Sequence, residues 1–330
     1  MNTSNPLMQF ARRPELSIKL PSDGNWYEEG FINYTMTGEV EVYPMLPKDE
    51  LMMLNPDALL SGQANVDLIK SCCPSISDPR KLLYNDVNVI LLAIHRATHG
   101  SDLEMEAYCP KCQEKITNVE KDVKVYNTNR KENEPEKNAD EIISEMEKNG
   151  EIITHAQDYI FDIDSMLQQI GILEKEYVMN TPNGLKIYYG PNKLEDRAKL
   201  GLMRFNQEKI IKAYKDYTIE DSLTDSEENK MIKEVQQCYL KITDIGNHMI
   251  TNAILKILLP DDTMITDKEM IYEFISNTPS TIVNELNNRI IEVNEIGIPK
   301  TLSYKCNCCG HEWEEHFYGF NQMDFFATGS

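Results

Sequence analysis

No run of about 18 apolar residues occurs in this chain, so the sequence requirement for a membrane-spanning helix is not met. The opening, Met1-Asn2-Thr3-Ser4-Asn5-Pro6, lacks both the basic n-region and the apolar h-region of a secretory signal. Basic residues are outnumbered: 33 Lys and Arg stand against 54 Asp and Glu, for a formal net charge of -21 and a pI near 4.7. Such a surface repels phosphate backbones and anionic membrane faces, so the expectation is no nucleic acid and no membrane, which leaves protein partners. Histidine is sparse and scattered, with six in 330 residues. The chain contains no Gly-x-x-x-x-Gly-Lys-Ser/Thr, Gly-x-Gly-x-x-Gly, His-Glu-x-x-His or Gly-x-Ser-x-Gly, and the expectation is a protein that is not an enzyme.

Against these absences stand eight cysteines, four of them in two Cys-x-x-Cys pairs: Cys109-Pro110-Lys111-Cys112 and Cys306-Asn307-Cys308-Cys309. Each pair follows alternating, strand-like sequence (Leu103 to Tyr108, Thr301 to Lys305), so each reads as a knuckle at the tip of a hairpin. A two-residue gap lets one tight turn aim two thiolates at one ion, and two such turns complete a tetrahedron. Cys109, Cys112, Cys306 and Cys309 are therefore the expected ligands of one structural Zn²⁺ in a zinc ribbon. Four thiolates close the site, whereas a catalytic zinc keeps an open position. A redox pair would want its Cys-x-x-Cys at a helix N-terminus after a buried strand. Two separate sites, cysteines that bind nothing, and substitution of a ligand by Cys308, His311 or His316 are the other readings. Cysteine in metal spacing also suits a reducing compartment, and the protein is expected to be cytoplasmic when made.

If the pairs share one ion, the chain between them must return to its starting point. The loop-closure cost grows only logarithmically with length, and structural zinc at roughly 10 to 16 kcal/mol offsets it. The expected fold class is α+β: a small N-terminal strand-helix domain over 1–108, the first knuckle and a return strand (Ile116 to Val125) within 109–125, a flexible loop plus mainly helical insertion over 126–298, and the second knuckle with an aromatic tail over 299–330. Within the first region Leu16, Ile18, Leu20, Val40 and Val42 alternate as strands, and Pro47 opens a short helix. Asp86 is expected to cap a core helix through Val87, Ile90, Leu91 and Ile94, with His95 as a satisfied core histidine and Gly100 as the stop. Asn127 to Asn138 has no apolar residue apart from Pro135 and is expected to be a dispensable flexible loop. A short acidic helix follows around Ile142 to Met146. Gly184 to Gly190 reads as a strand, Leu194 to Tyr214 as a helix, and Thr218 to Glu228 as an acidic exposed stretch. Asn229 to Leu258 reads as one amphipathic helix because Val235, Cys238, Ile242, Ile245, Met249, Ala253 and Ile257 recur every three or four residues. Further helices start at Thr266 and Pro279. The run Phe317 to Phe326 supplies five aromatics either to the protein's own core or to a partner.

The two ends carry a resemblance. Pro14-Glu15-Leu16-Ser17-Ile18-Lys19-Leu20-Pro21-Ser22-Asp23-Gly24, then Val42-Tyr43-Pro44-Met45-Leu46-Pro47-Lys48-Asp49-Glu50, resembles the start of the baseplate hub family of T-even-type contractile-tailed phages. Cys306-Asn307-Cys308-Cys309-Gly310-His311-Glu312-Trp313 and the terminal Phe325-Phe326 resemble that family's zinc-ribbon end, although the second knuckle departs from the commoner Cys-Pro-x-Cys-Gly form. The resemblance implies a hub protein that acts in baseplate and tail assembly by binding other hub or tail proteins. The alternative it carries is a transient assembly chaperone, present in the host cytoplasm and absent from the finished virion. A zinc-dependent enzyme or nucleic-acid module is the further alternative. No catalytic residue is implied.

Overall fold

The computed structural model of the chain describes residues 12–55, 58, 61–131, 134–220 and 225–316. It contains both helices and strands and is of the α+β class. The described residues divide into two compact units: a larger one within 12–100 and 166–298, and a smaller one within 101–165 and 299–316. This differs from the expected division into four successive regions, because most of the stretch read as an insertion packs with the N-terminal residues. The aromatic run Phe317 to Phe326 lies outside the described residues. No helix among the described residues is long and apolar enough to cross a membrane.

In the larger unit, β1 (Leu16–Ile18) and β2 (Val40–Val42) pair antiparallel with Leu16 opposite Val42, and their alternation buries Ile18, Val40 and Val42. Helices α1 (Pro47–Met53) and α2 (Gln63–Cys72) lead to α3 (Tyr84–His99), whose residues from Asn85 to His95 are all buried. Asp86 is not the cap of α3. The helix begins one turn earlier than expected, at Tyr84 after Leu83, so Asp86 occupies the third helical position and is fully buried. Its carboxylate accepts from the Ser22 N–H (3.0 Å) and the Tyr27 hydroxyl (2.5 Å), while that hydroxyl accepts from the Leu83 N–H (2.8 Å). Burial pushes Asp86 up to about 6, against the opposing pull of the Tyr27 and Ser22 donors. His95 is desolvated in the same helix and, with His99 beside it, falls to about 4, so it is a neutral core residue at pH 7.

After α6 (Ile163–Gln168), four antiparallel strands form one sheet in the order β5 (Tyr177–Asn180), β6 (Lys186–Tyr189), β7 (Ile254–Leu258), β8 (Met264–Ile265). Between β6 and β7 run α7 (Leu194–Glu220) and α8 (Asp225–Ala253). The single helix expected to Leu258 ends at Ala253 instead. Ile254, Leu255, Ile257 and Leu258 suit a strand, and the ammonium of Lys268 donates to the carbonyls of Thr251 (2.9 Å), Asn252 (3.2 Å) and Ile254, which helix and strand would otherwise leave unpaired. Asp267 caps α9 (Lys268–Asn277), and α10 (Ser280–Asn294) begins just after Pro279. The core joins Leu83 to Met179, Ile187, Ile254, Ile257, Leu286 and Ile290, so residues from both ends of the unit share one interior. Buried amides tie it as well: Asn85 donates to the carbonyls of Val293 and Ile296, and Asn192 and Asn294 bond to each other twice.

In the smaller unit β3 (Asp102–Ala107) pairs antiparallel with β4 (Gln157–Asp162), and β9 (Thr301–Lys305) with β10 (Glu312–His316). The expected return strand at Ile116 to Val125 is a helix, α4 (Pro110–Asn129). Pro110 sits at its first position, and Ile116, Val119, Val123 and Tyr126 recur at helical intervals, a period that outweighs the β-branched character of the segment. The acidic helix α5 (Ala139–Lys148) is as expected, capped by the Asn138 side chain. The described part of the polar segment before it is anchored through side chains. Asn127 donates to the Lys137 carbonyl (2.8 Å) and accepts from the Lys137 N–H (3.0 Å), and the Lys137 ammonium lies over the Tyr126 ring.

Candidate metal centre

The four cysteines of the two pairs converge in the smaller unit. Cys109 is the residue before the first turn of α4 and Cys112 lies in that turn, whose unpaired N–H groups favour negative charge. Cys306 directly follows β9, and the Cys306 N–H to His311 carbonyl bond (2.9 Å) closes the hairpin below it. Gly310 has φ of 65°, a conformation that glycine adopts without strain, and its N–H returns to the Cys306 carbonyl (3.0 Å). The two pairs thus reach one point by different routes: the second is a knuckle at a hairpin tip, as expected, and the first is a strand-to-helix turn.

All four Sγ atoms lie within 4.8 Å of one another, and the four thiols are free. The separations are 3.6 Å for Cys109–Cys309, 3.9 Å for Cys112–Cys306 and 3.8 Å for Cys112–Cys309. Sulfurs at about 2.3 Å from a common tetrahedral ion would stand about 3.8 Å apart, whereas a disulfide would bring a pair to about 2.05 Å. The donor set therefore fits a soft, four-coordinate cation such as zinc, and leaves no open position for substrate. A helix N-terminus is also the setting of a redox pair, but here the second pair is aimed at the same point.

The surroundings of the sulfurs act in opposite directions. Burial raises both Cys109 and Cys112. At Cys306 burial acts the same way but is outweighed by the N–H of Cys309 (3.5 Å) and by Gln157 Nε2 (3.3 Å), which bring the thiol down to about 6. Gln157 was invisible in the sequence as a site residue. It is buried on β4, and its Oε1 also accepts from the Asn307 N–H (2.9 Å), so one amide holds both the sulfur and the turn that carries it. Cys308 stands outside the cluster, with its thiol donating to the Gly150 carbonyl (3.2 Å). His311 stacks on Trp313, and neither His311 nor His316 joins the four sulfurs.

Residues 13–168 match a family model described as T4 bacteriophage base plate protein. No curated protein and no solved structure matches the chain. The matched stretch contains Cys109, Cys112 and Gln157, and ends before the second cysteine pair.

Proposed function

We propose, from the match of residues 13–168 to a T4 bacteriophage base plate protein model, that this chain is a T4-type baseplate protein and acts in building the hub of the baseplate. In this reading it binds other hub or tail proteins, and Cys109, Cys112, Cys306 and Cys309 hold one structural Zn²⁺ in a zinc ribbon. The observation that carries the reading is the convergence of four thiols at tetrahedral spacing from two segments far apart in the chain, the first of them inside the matched stretch. The ion would fix β9 and β10 to the turn between β3 and α4, and so give a small unit one defined surface for a partner. Nothing in the donor set offers a ligand-exchange position, which favours an interaction role for the metal unit over hydrolysis or transfer.

The test has two arms. Elemental analysis of the purified protein should give one zinc per chain, lost in a Cys109→Ser/Cys306→Ser double variant. Phage made without this chain should accumulate baseplate intermediates that lack the hub, visible by electron microscopy and rescued by the intact chain alone. Complete baseplates in its absence would overturn the assembly role. Detection of the chain in purified virions would make it a resident subunit, and its absence there with assembly still dependent on it would make it a transient chaperone.

A further inference from the structure

The smaller unit carries a sheet face whose charges are not matched within it. On β3 the residues that alternate to the solvent side are Asp102, Glu104 and Glu106, and on β4 they are Asp158, Ile160 and Asp162. The antiparallel register sets Asp102 opposite Asp162, Glu104 opposite Ile160 and Glu106 opposite Asp158, so two of these three cross-strand pairs set carboxylate against carboxylate. Like charges directly opposite one another destabilise a strand pair. Neither strand contains Lys, Arg or His to offset them. At one end the carboxylates have local donors: Asp162 accepts from the N–H groups of Asp164 (3.1 Å) and Ser165 (3.2 Å), and Asp102 from the Ser101 hydroxyl (3.2 Å). The carboxylates of Glu104, Glu106 and Asp158 have no ion-pair partner among the described residues. The other sheet of the same unit shows a matched pair by contrast, since Lys305 on β9 stands opposite Glu312 on β10 and bonds to it at 2.8 Å.

In the middle of the face Ile160 is 65% exposed, flanked by Glu104, Asp158 and Asp162. An apolar centre within a charged rim is the anatomy of a protein contact surface. The single sign of the rim selects the occupant. Among the described residues the group of three or more His, Cys, Asp or Glu that could hold a metal is that of the four cysteines, so no three of these carboxylates converge on one ion. A nucleic acid backbone carries the same sign as the face. A second copy laid on the same face would set carboxylates on carboxylates.

We propose that the outer face of β3 and β4 docks a basic face of another baseplate protein, one on which two or more Lys or Arg side chains surround an apolar residue that packs on Ile160. Docking would supply the cations that the strand pair lacks, so the repulsion across Glu106 and Asp158 is relieved only in the complex. That the partner belongs to the baseplate rests on the function proposed above; the cationic chemistry of its face does not.

The test is made in phage from which this chain has been deleted and to which variants are returned. Glu104→Lys/Asp158→Lys gives Glu106 an opposite charge across the strands, so the isolated variant should keep its circular dichroism and melt no lower than the wild type. The same variant reverses the sign of the face and should fail to support complete baseplates. Ile160→Ser, at an exposed position, should weaken assembly with melting unchanged. Second-site suppressors of the double variant should map to Lys or Arg codons of one other baseplate protein, changed to acidic residues. That protein, purified, should bind the wild-type chain at least about tenfold more tightly than the double variant in titration calorimetry. If phage lacking the chain build complete baseplates, the baseplate reading falls and the proposed partner with it. If they do not, but the double variant supports baseplates as well as the wild type does, the docking surface alone is overturned. Suppressors confined to this chain also overturn it. So does a rise in melting temperature with calcium or magnesium that the double variant abolishes, which would make the face an ion site, or self-association that the double variant abolishes, which would make the occupant a second copy.

Discussion

The two units of this protein are held together by different means. The larger has an apolar interior of Leu83, Leu173, Met179, Ile187, Ile254, Ile257, Leu286, Ile290 and their neighbours, with α3 buried from Asn85 to His95. In the smaller, Ile152 packs with Cys109, Cys112 and Cys306, flanked by partly covered Ile116, Ile143, Met146 and Trp313, and the other buried apolar side chains among its described residues are Leu103, Ala107, Val123, Ile163, Leu302 and Tyr304. Its helix α5 buries no residue at all. A unit of that size sits near the limit at which burial offsets chain entropy, and a metal or disulfide is the usual remedy. On the zinc reading proposed above, a bound ion would add in the smaller unit to what packing supplies there.

The sharpest way to break the contrast is to remove the proposed metal. A Cys112→Ser/Cys306→Ser variant, or chelation of the wild type, should unfold the smaller unit, since structural zinc is worth on the order of 10 kcal/mol to a small module. Hydrogen exchange should then show lost protection in β3, β4, β9 and β10 with α3 still protected. Uniform protection across both units would mean that the smaller unit stands on its apolar packing, Leu103, Ile152, Leu302 and Tyr304 among it, without a metal.

The converse cut is a cavity in the larger unit. Leu286→Ala, at a side chain with no exposure, should cost about 2 to 5 kcal/mol of global stability by denaturant titration while zinc content stays at one per chain. Loss of zinc in that variant would show that the units are not energetically separate.

What could be read beforehand divides along the same line. The convergence of the two cysteine pairs was legible because two thiols on one turn is a local pattern written in two residues of spacing. Gln157 was not, because its role depends on a contact with Cys306 and Asn307 that no local pattern announces. The helix α4 was readable in Pro110 and the interval of Ile116, Val119 and Val123, but the assumption that both cysteine pairs sit on hairpin tips hid it. Ile254 to Leu258 continued the helical period of α8 and also suited a strand; pairing with β6 and the Lys268 bonds to the α8 carbonyls decided between them. The grouping of 166–298 with the N-terminal residues rests on buried amides such as Asn85 to Val293 and Asn192 to Asn294, which join residues far apart in sequence.

A smaller effect, confined to the larger unit, should follow from Asp86. Its folded pKa of about 6 lies above the ordinary carboxylate value of 3.8, so the folded state binds the proton first as pH falls. Between pH 7 and pH 4 this group therefore adds stability as pH drops, and its contribution falls away as pH rises through about 6. The pKa difference corresponds to at most roughly 3 kcal/mol. Stability of the wild type relative to Asp86→Asn should accordingly rise on acidification, by chemical denaturation at matched ionic strength. A pH-independent difference would mean that Tyr27 and Ser22 hold the carboxylate charged throughout.

The finest test concerns the one amide that links sulfur and turn. Gln157 donates to Cys306 Sγ and accepts from Asn307, so Gln157→Ala removes a donor to the thiolate and releases the knuckle's backbone together. Groups that hydrogen-bond metal ligands typically matter by about 10- to 100-fold in affinity, and the lower end is expected here because the Cys309 N–H remains on the same sulfur. Competition against a chromogenic chelator should show zinc held about tenfold less tightly, or about 1.4 kcal/mol. Gln157→Glu keeps an acceptor for Asn307 but sets a carboxylate against the thiolate, so it should bind zinc more weakly still than the alanine variant. That order separates electrostatic support of the sulfur from simple packing, for which glutamate, nearly the same shape as glutamine, would be the milder change. Equal zinc affinity in all three proteins would reduce Gln157 to a filler of space beside β9.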